Sequence, residues 1–495
     1  MPPGTTEPPA GSRTFDDFVA ACAGANLAQT ESMARQFVAE HPGEERGWLV
    51  LVGCVEQGGN FPEAERLAAM GLERFARNAR LRAARARALV QCGRLDEACG
   101  LLDGSELSPE DALLRAEIEL ARDPPRAART YAALAEAFPR HPAVALGRLA
   151  AESAGGAPER PPAIAFLVKA DWHAWIHLPI AQALRAGGTA FTCTTNAWML
   201  PALRPQVVVL SSPTPPVMGE LRQRLPRARF VNTRHGVSVN GKNYGLYSAG
   251  ACEFVCASSE HQAGELRRLA LLPAERVWPT GYPQMDALFR RLRGGPAGAS
   301  PGRRVLFAPT FNPELSAAYL VGEDPVPALR GDDESIRVVL TGHPQLRQEA
   351  PALLAAWRGL ARTRPNVEYF DSAEENVVAL LPEVDVLVSD VSSVATQYLA
   401  LDRPLVRLVD LERARASRAY DPGATEWQLD AAATTVTRRE DLAAAVRAAL
   451  AGSEPEAHAA NRRRLREELF GTLTDGRAGE RIAQRLANLV SPSAT

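Results

Sequence analysis

Four predicted β-strands of this chain run directly into polar residues that could bind or transform a charged ligand. These residues are His235 with Gly236, Thr310, His343, and Asp390 with Ser392 and Ser393. Ligands of doubly wound α/β sheets bind at the carboxyl ends of the strands, so residues that follow the strands are expected to line one cleft. A histidine taken alone is more often a structural hydrogen-bonding residue. The convergence of several polar strand ends favours a functional site.

Residues 384–402 carry the pattern most typical of an anion site. An apolar run predicts a buried parallel strand, followed by a turn at Asp390 and a helix that begins near Ser392 and Ser393. A helix N-terminus offers unpaired backbone N–H groups and the positive end of the helix dipole, and serine hydroxyls add donors. The alternative is that one serine only caps the helix. Asp390 could contact the ligand or order the turn.

The two histidines and the serines together could transfer a group from an activated phosphate. One histidine would act as general base on an acceptor hydroxyl, and the other, with the serines, would stabilise phosphate charge. His173 and His177 lie at the start of a predicted helix, where they could line the cleft, but we expect them to be structural. The sequence has no GxGxxG, no Walker A motif and no metal-ligand spacing, so we expect no cofactor and no metal.

The composition is that of a globular chain of about three domains. Its 495 residues are 46% hydrophobic with a formal net charge of -2, which argues against a nucleic-acid partner. Cys252 and Cys256 lack the further ligands of a zinc site, so we expect reduced, mostly buried thiols in a cytoplasmic protein. The N-terminus lacks a signal-peptide core, and no run approaches the ~20 apolar residues that span a bilayer. We therefore expect any membrane contact to be peripheral.

The N-terminal third is predicted to be helical and repetitive. Residues 1–13 are expected to be disordered, and apolar residues recur at helical spacing over 14–154. Residues 57–64 (QGGNFPEA) are echoed by 91–98 (QCGRLDEA) at an offset of 34, the period of tetratricopeptide repeats. A generic helical bundle is the alternative. A repeat array would offer a concave surface for a protein partner or an acceptor polymer.

The rest of the chain alternates strands and helices, which predicts two doubly wound halves. The predicted order is a linker at 155–162, a first Rossmann-like half at 163–290, a linker at 291–302, a second half at 303–453, and C-terminal helices at 454–495 that pack back. The predicted strands are 164–168, 191–195, 207–210, 230–232, 254–257, one at 277, 304–307, 337–340, 367–370, 384–388, 405–408 and 434–436. The arginines at 462–466 indicate a solvated helix face or a weak attraction to a membrane surface.

A set of short motifs between residues 163 and 490 carries a family resemblance. The motifs are NTRHG at 232–236, TGYPQMD at 280–286, VLFAPTF at 305–311, His343-Pro344, DVLVSDVSSV at 385–394, DRPL at 402–405 and DGRAGERI at 475–482. In this order and spacing they resemble the CDP-glycerol glycerophosphotransferase family, the polymerases and primases of wall teichoic acid and related capsules. A helical repeat region ahead of such a domain is similar to some capsule polymerases of that family.

The resemblance implies a two-lobed GT-B fold with the acceptor on the first half and the nucleotide donor on the second. It implies attack by an acceptor hydroxyl on the β-phosphorus of a CDP-linked polyol, with CMP leaving, near the inner face of the cell membrane. The acceptor would be a polymer or a lipid-linked molecule. The family's two motif histidines match His235 and His343, its phosphate-binding serines match Ser392 and Ser393, and Thr310 matches its nucleotide-side loop.

Two positions depart from the family pattern. Gly342 stands where the family has a basic residue before the second histidine, and Lys242 comes later than the family's lysine after His-Gly. Two other functions stay open on the sequence: a GT-B glycosyltransferase that uses a nucleotide sugar, and a repeat scaffold with a transferase domain that has lost activity.

Overall fold

The computed structural model describes residues 14–103, 107–154, 162–238, 249–269, 272–295, 303–417 and 420–490. The predicted disordered N-terminus, most of both predicted linkers and Lys242 lie outside these residues. The chain divides into two compact units, residues 1–122 and 123–495.

The described part of the first unit consists of helices. They are α1 (Phe15–Cys22), α2 (Leu27–Glu40), α3 (Glu45–Gln57), α4 (Phe61–Arg74), α5 (Ala79–Gln91), α6 (Leu95–Leu101) and α7 (Pro109–Arg122). The predicted repeat is visible in the turns that end α3 and α5. Gly59 and Gly93, 34 positions apart, have φ angles of 78° and 74°. Only glycine adopts this backbone region at low cost, so the same turn is built twice.

The second unit begins with two further helices, α8 (Pro124–Ala137) and α9 (Pro142–Ser153). The sequence prediction grouped them with the helical repeats, whereas in the structure α9 packs against the first strands of the α/β region. The Ser153 hydroxyl accepts the Phe191 N–H at 3.2 Å and ties the end of α9 to the first sheet. The apolar face of α9 has the same periodicity as the repeats, and periodicity does not tell which partner covers a face.

The first lobe of the α/β region is a six-stranded parallel sheet of order β2-β1-β3-β4-β5-β6. Its strands are β1 (Ile164–Leu167), β2 (Phe191–Thr194), β3 (Val207–Leu210), β4 (Arg229–Asn232), β5 (Phe254–Ala257) and β6 (Val277–Pro279). Its described helices are α10 (Ala174–Ala186), α11 (Leu200–Leu203), α12 (Pro215–Arg224), α13 (Glu260–Leu269) and α14 (Asp286–Arg293). The chain reverses its direction of winding between β1 and β3, which is the switch point of this sheet.

The second lobe is a parallel sheet of order β12-β11-β10-β7-β8-β9. Its strands are β7 (Arg304–Phe307), β8 (Arg337–Leu340), β9 (Val367–Tyr369), β10 (Val386–Ser389), β11 (Leu405–Leu408) and β12 (Thr434–Val436). Its described helices are α15 (Ala317–Val321), α16 (Val326–Arg330), α17 (Leu346–Glu349), α18 (Pro351–Thr363), α19 (Val377–Leu380), α20 (Ser393–Tyr398), α21 (Leu411–Ala416), α22 (Thr425–Gln428) and α23 (Leu442–Leu450). This is the strand order of dinucleotide-binding sheets, and its switch point lies between β7 and β10.

The C-terminal helices are α24 (Glu456–Phe470) and α25 (Ala478–Val490). Asp286, at the start of α14, accepts the N–H groups of Ala478 and Gly479 at 2.9 and 2.8 Å. A Cβ on Gly479 would lie 2.7 Å from the backbone of Pro179 in α10, so only glycine allows this approach. Two motifs of the family pattern, TGYPQMD and DGRAGERI, therefore meet to dock α25 on the first lobe.

One apolar cluster joins the lobes, with Val237 and Met285 from the first and Ala308 and Tyr398 from the second. The predicted fold class is confirmed: two parallel doubly wound lobes of GT-B type follow a helical region. All twelve strands occur at their predicted places to within two residues at either end.

Candidate active site

His235 stands on a tight turn that follows β4. Arg234 has a φ of 62°, a left-handed conformation unusual for an arginine, and the fully buried Asn232 side chain accepts its N–H at 2.8 Å. The turn presents His235 at an exposed position. No described residue lies within 4 Å of where a Cβ on Gly236 would stand, so the backbone beside His235 leaves room in the described part of the chain.

The Arg234 side chain is partly held by the turn, and its Nη1 is buried without a hydrogen-bond partner in the described part of the chain. One guanidinium nitrogen donates to the Ser238 carbonyl oxygen. Burial lowers the pKa of Arg234 to about 10, although Tyr282 and Glu426 favour its charge. Arg234 was not among the predicted site residues. Its left-handed backbone is a property of the folded turn, which residue types alone do not show.

His343 lies in the loop after β8 and has a defined tautomer when neutral. Its Nδ1 accepts the Gln345 N–H at 3.2 Å, so the proton of the neutral ring belongs on Nε2. The Phe311 ring packs against it with ring centroids 4.8 Å apart. In this state His343 is a hydrogen-bond donor rather than a proton acceptor.

The departure at Gly342 has a steric reason. A Cβ at this position would lie 2.5 Å from Cδ2 of Leu354 in α18. The basic residue of the family pattern cannot be accommodated unless Leu354 moves. The sequence could not show this, because Leu354 is brought to Gly342 only by the fold.

Asp390 and Thr310 face each other across the switch point of the second sheet. Both carboxylate oxygens of Asp390 accept the Thr310 N–H at 3.0 Å, and one accepts the Ala317 N–H at 2.9 Å. Asp390 is fully buried and Thr310 is 2% exposed. Of the two roles left open for Asp390, this geometry favours ordering the loop that carries Thr310.

The two serines at the start of α20 differ in exposure. The Ser392 side chain is the N-cap and accepts the Val394 N–H at 3.4 Å, and the residue is 3% exposed. Ser393 is half-buried and is the first residue of the helix. Ser392 therefore caps the helix, which was the alternative role considered from the sequence. Ser393 carries the more accessible hydroxyl.

A row of aromatic and imidazole rings connects His235 of the first lobe with His343 of the second. The His235 and His173 ring centroids lie 5.7 Å apart, those of His173 and Trp172 5.9 Å, and those of Trp172 and His343 6.1 Å. Phe311 extends the row beyond His343. The structure therefore brings both predicted motif histidines to one cleft, together with the half-buried Trp172 and His173.

Both His177 and His173 were expected to be structural. The surroundings of His177 agree with this expectation, and those of His173 do not. His177 is fully buried and stacks on Phe166, and its Nε2 lies 3.4 Å from the Thr233 hydroxyl, beneath the turn of His235. Burial lowers the pKa of His177 to about 3, so it is neutral. His173 lies in the cleft, which the sequence could have indicated only through the position of β1 at the switch point.

A protein-family model decides the family of this chain. The model described as CDP-glycerol:poly(glycerophosphate) glycerophosphotransferase matches residues 164–488, from the first residue of β1 into α25. The chain belongs to this family. It is a transferase of the CDP-glycerol-dependent type.

Solved structures with a similar fold include three enzymes. The wall teichoic acid polymerase TagF has a TM-score of 0.47 and 14% sequence identity, over 69% of this chain and 93% of that chain. MnaA of S. aureus, in complex with UDP, has a TM-score of 0.46 and 13% identity, over 67% and 98%. A mutant of Thermobaculum terrenum O-GlcNAc transferase has a TM-score of 0.33 and 13% identity, over 96% of both chains. A search of curated proteins found no match.

Two kinds of structural feature are absent from the described part of this family member. No described helix is both long enough and apolar enough to cross a bilayer. The described residues contain no group of three or more His, Cys, Asp or Glu side chains arranged to hold a metal ion. The groups described at the cleft include imidazole rings, hydroxyls and backbone N–H groups.

Proposed function

We propose that the cleft between the lobes transfers glycerol phosphate from CDP-glycerol to a hydroxyl group of a growing surface polymer. A bond forms between the acceptor oxygen and the β-phosphorus, and the bond from this phosphorus to the bridging oxygen breaks. CMP leaves with the electron pair, and the acceptor proton passes to a base. The observation that carries the proposal is the row of rings that joins His235 to His343.

The two histidines take different roles in this reaction. His235 is exposed on an open turn and is the base that receives the proton of the acceptor hydroxyl. His343 carries its proton on Nε2 when neutral, so it donates a hydrogen bond to an oxygen of the transferred phosphate. A donor aimed at developing charge stabilises the transition state more than the ground state.

The donor nucleotide is assigned to the switch point of the second sheet. Thr310 follows β7, and Ser393 begins the helix after β10, so both lie at the carboxyl ends of the strands that flank the switch point. The Ser393 hydroxyl and the first N–H groups of α20 would bind the diphosphate. Ser392 and Asp390 hold these elements in place, and Gly236 leaves room for the acceptor.

The test is release of CMP from CDP-glycerol by the full chain and its variants. We expect His235→Ala and His343→Ala each to lower kcat by about 10²–10⁴-fold, because each removes a proton acceptor or a donor used in the transition state. His261→Ala, on the exposed face of α13, is the matched control and should retain full activity. Turnover retained by both cleft variants would contradict the two-histidine mechanism.

A nucleotide panel separates this reaction from glycosyl transfer. A ligand that binds the native state raises the melting temperature, and we expect CDP and CMP to raise it more than UDP or GDP. A preference for UDP or GDP would favour a nucleotide-sugar donor and attack at carbon. Binding of nucleotide without turnover on any donor would favour the scaffold alternative.

The helical unit is proposed to bind a protein partner rather than the acceptor polymer. Residues 14–122 contain 12 arginines against 18 aspartates and glutamates, so this unit repels a polyanion. Its groove has a volume of about 340 Å³ and is lined by α3, α5 and α7, where Arg87 is paired with Glu56 and Asp111. We expect Arg80→Glu to leave the KM for a glycerophosphate acceptor unchanged. A several-fold rise would instead assign the groove to the polymer.

We propose that the enzyme works as a peripheral protein at the inner face of the membrane, where a lipid-linked acceptor would lie. The arginines of α24 are poor candidates for this contact. Arg462 is 2% exposed and paired with Glu454 at 2.5 Å, Arg464 pairs with Glu468, and Arg466 donates to the Ala400 carbonyl. We expect Arg463→Glu to leave sedimentation with anionic vesicles unchanged. Loss of sedimentation would place the membrane contact on α24.

A further inference from the structure

The cleft contains a third histidine, whose position is not explained by a structural role. We propose that His173 is a catalytic residue, a neutral imidazole that donates a hydrogen bond to the phosphate during transfer. The inference deepens the proposed function and rests on it. His173 comes from the loop after β1, so it is independent of the motifs that carry His235 and His343.

The position of His173 in the fold is that of a ligand-binding residue. β1 lies between β2 and β3, at the switch point of the first sheet, where the loops that follow the strands diverge and leave a crevice. A short 3₁₀ turn, Asp171–His173, fills this loop and leads into α10. The switch point of the second sheet carries Thr310 and Ser393, so the two sheets contribute equivalent loops.

The contacts of His173 place it among the reacting groups. Its ring is tilted by 33° to that of His235 at a centroid distance of 5.7 Å, and its neighbour Trp172 contacts both its ring and that of His343. Trp172 and His173 therefore lie between His235 and His343 in the row of rings. His173 Nδ1 is buried and has no hydrogen-bond partner in the described part of the chain. A buried polar atom without a partner is unusual, and a ligand would supply one.

The charged and titratable groups around His173 keep its ring neutral. They are His235 after β4, His343 after β8, Lys169 in its own loop and His177 on α10. Burial first, and then these groups, hold the pKa of His173 well below its usual value, although Asp171 belongs to the same turn. A neutral imidazole with so low a pKa is a poor base, but its N–H can donate to a phosphate oxygen without transfer of the proton.

The arrangement gives each histidine a separate task. His235 accepts the proton of the attacking hydroxyl, and His343 and His173, which lie on either side of Trp172 in the ring row, donate hydrogen bonds to the phosphate. In this scheme His235 alone acts as a base. If His173 acts as a hydrogen-bond donor, a substitution that keeps an N–H should retain activity. If it acts only as a flat packing surface, a substitution that keeps a ring should retain activity.

The test compares two substitutions in the full chain, with CDP-glycerol as donor and a glycerophosphate oligomer as acceptor. His173→Gln keeps an N–H donor and loses the ring, whereas His173→Phe keeps a ring and loses the donor. We expect kcat to fall about 10²-fold in His173→Phe and less than about 10-fold in His173→Gln. His261→Gln is the matched control on the exposed face of α13 and should be unchanged.

Two further readouts separate folding from chemistry. CDP should raise the melting temperature of both His173 variants as it does for the unaltered chain, because the nucleotide lies on the second lobe. The acidic limb of the kcat/KM pH profile should keep its midpoint in both, because His173 does not titrate there, whereas His235→Ala should abolish the limb.

The outcomes are distinguishable from those of the proposed function. Full activity of His173→Phe together with inactivity of His235→Ala would overturn the donor role and leave the transfer reaction intact. Activity in His173→Phe that exceeds that of His173→Gln would assign the residue to packing. A shifted acidic limb in His173→Gln would show that His173 titrates, and this would also overturn the proposal.

Discussion

The two sides of the cleft are built in opposite ways. On the first lobe, His235 stands exposed on a turn whose left-handed Arg234 is held by one amide side chain. On the second lobe, Thr310 is buried in a loop that Asp390 holds through several hydrogen bonds. A nucleotide is the same molecule in every cycle, while a growing polymer must enter and move on. We infer that the loop of Thr310, on the lobe proposed to bind the donor, is held more firmly than the turn of His235, on the lobe proposed to bind the acceptor.

The largest expected effect comes from disrupting the loop of Thr310. Asp390→Ala removes the acceptor of the Thr310 and Ala317 N–H groups and a negative neighbour of the buried Arg407. Leaving the two N–H groups without an acceptor should lower the free energy of unfolding by about 2–4 kcal/mol, while Arg407 keeps its ion pair with Asp430. We expect chemical denaturation to show this loss and CDP to give no thermal shift. A stable variant that still binds CDP would show that Asp390 does not organise the loop.

A smaller effect is expected from acidification, and it should act on the first lobe. Burial depresses the pKa of His177 to about 3, against about 6.5 in an unfolded chain. The contribution of neutral His177 is fully present above pH 6.5 and is lost as the pH falls toward 3, because only the unfolded chain binds the proton. Between pH 6.5 and 5 the free energy of unfolding should fall by roughly 2 kcal/mol relative to His177→Phe. Parallel pH curves for the two proteins would contradict this assignment.

A substitution in the turn that presents His235 should change catalysis more than it changes the stability of the fold. Asn232→Ala leaves the Arg234 N–H without its acceptor, and the loss of one buried hydrogen bond should cost about 1–2 kcal/mol. We expect kcat to fall by more than tenfold, because His235 is no longer aimed, while the thermal shift with CDP stays unchanged. Weaker CDP binding in this variant would mean that the two sides are not independent.

The smallest effect is expected where the helices ahead of β1 touch the second lobe. Arg140, between α8 and α9, pairs with Glu375 at 2.6 Å, but its side chain is 65% exposed. Exposed ion pairs contribute little, so Arg140→Ala should change the free energy of unfolding by less than about 0.5 kcal/mol. KM for the acceptor is the sharper measurement. A change in KM alone would show that this contact adjusts the opening of the cleft.

The sequence predicted what local patterns determine. Short apolar runs, most of them three to five residues long, located the twelve strands, and the residues that follow them pointed to His235, His343 and the serines of α20. A local sequence pattern does not show which strands are neighbours in a sheet. β1 could therefore not be placed at a switch point, and His173 was expected to be structural. Gly342 was a departure without explanation until Leu354 was seen beside it. The sequence predicted a helical domain that extends to residue 154, whereas α8 and α9 lie in the α/β unit. The apolar face of a helix does not show which part of the fold will cover it.

The packing of α9 against the first sheet limits where a protein of this kind can exchange its N-terminal region. The family match begins at residue 164, yet Ser153 is bonded to β2, and His141, at the start of α9, lies 3.5 Å from Asp171, beside the loop of Trp172 and His173. Recombination that joined a new N-terminal region at residue 163 would strip this support from the cleft. Exchange upstream of residue 123 would leave it intact. We therefore expect α8 and α9 to be inherited together with the two α/β lobes.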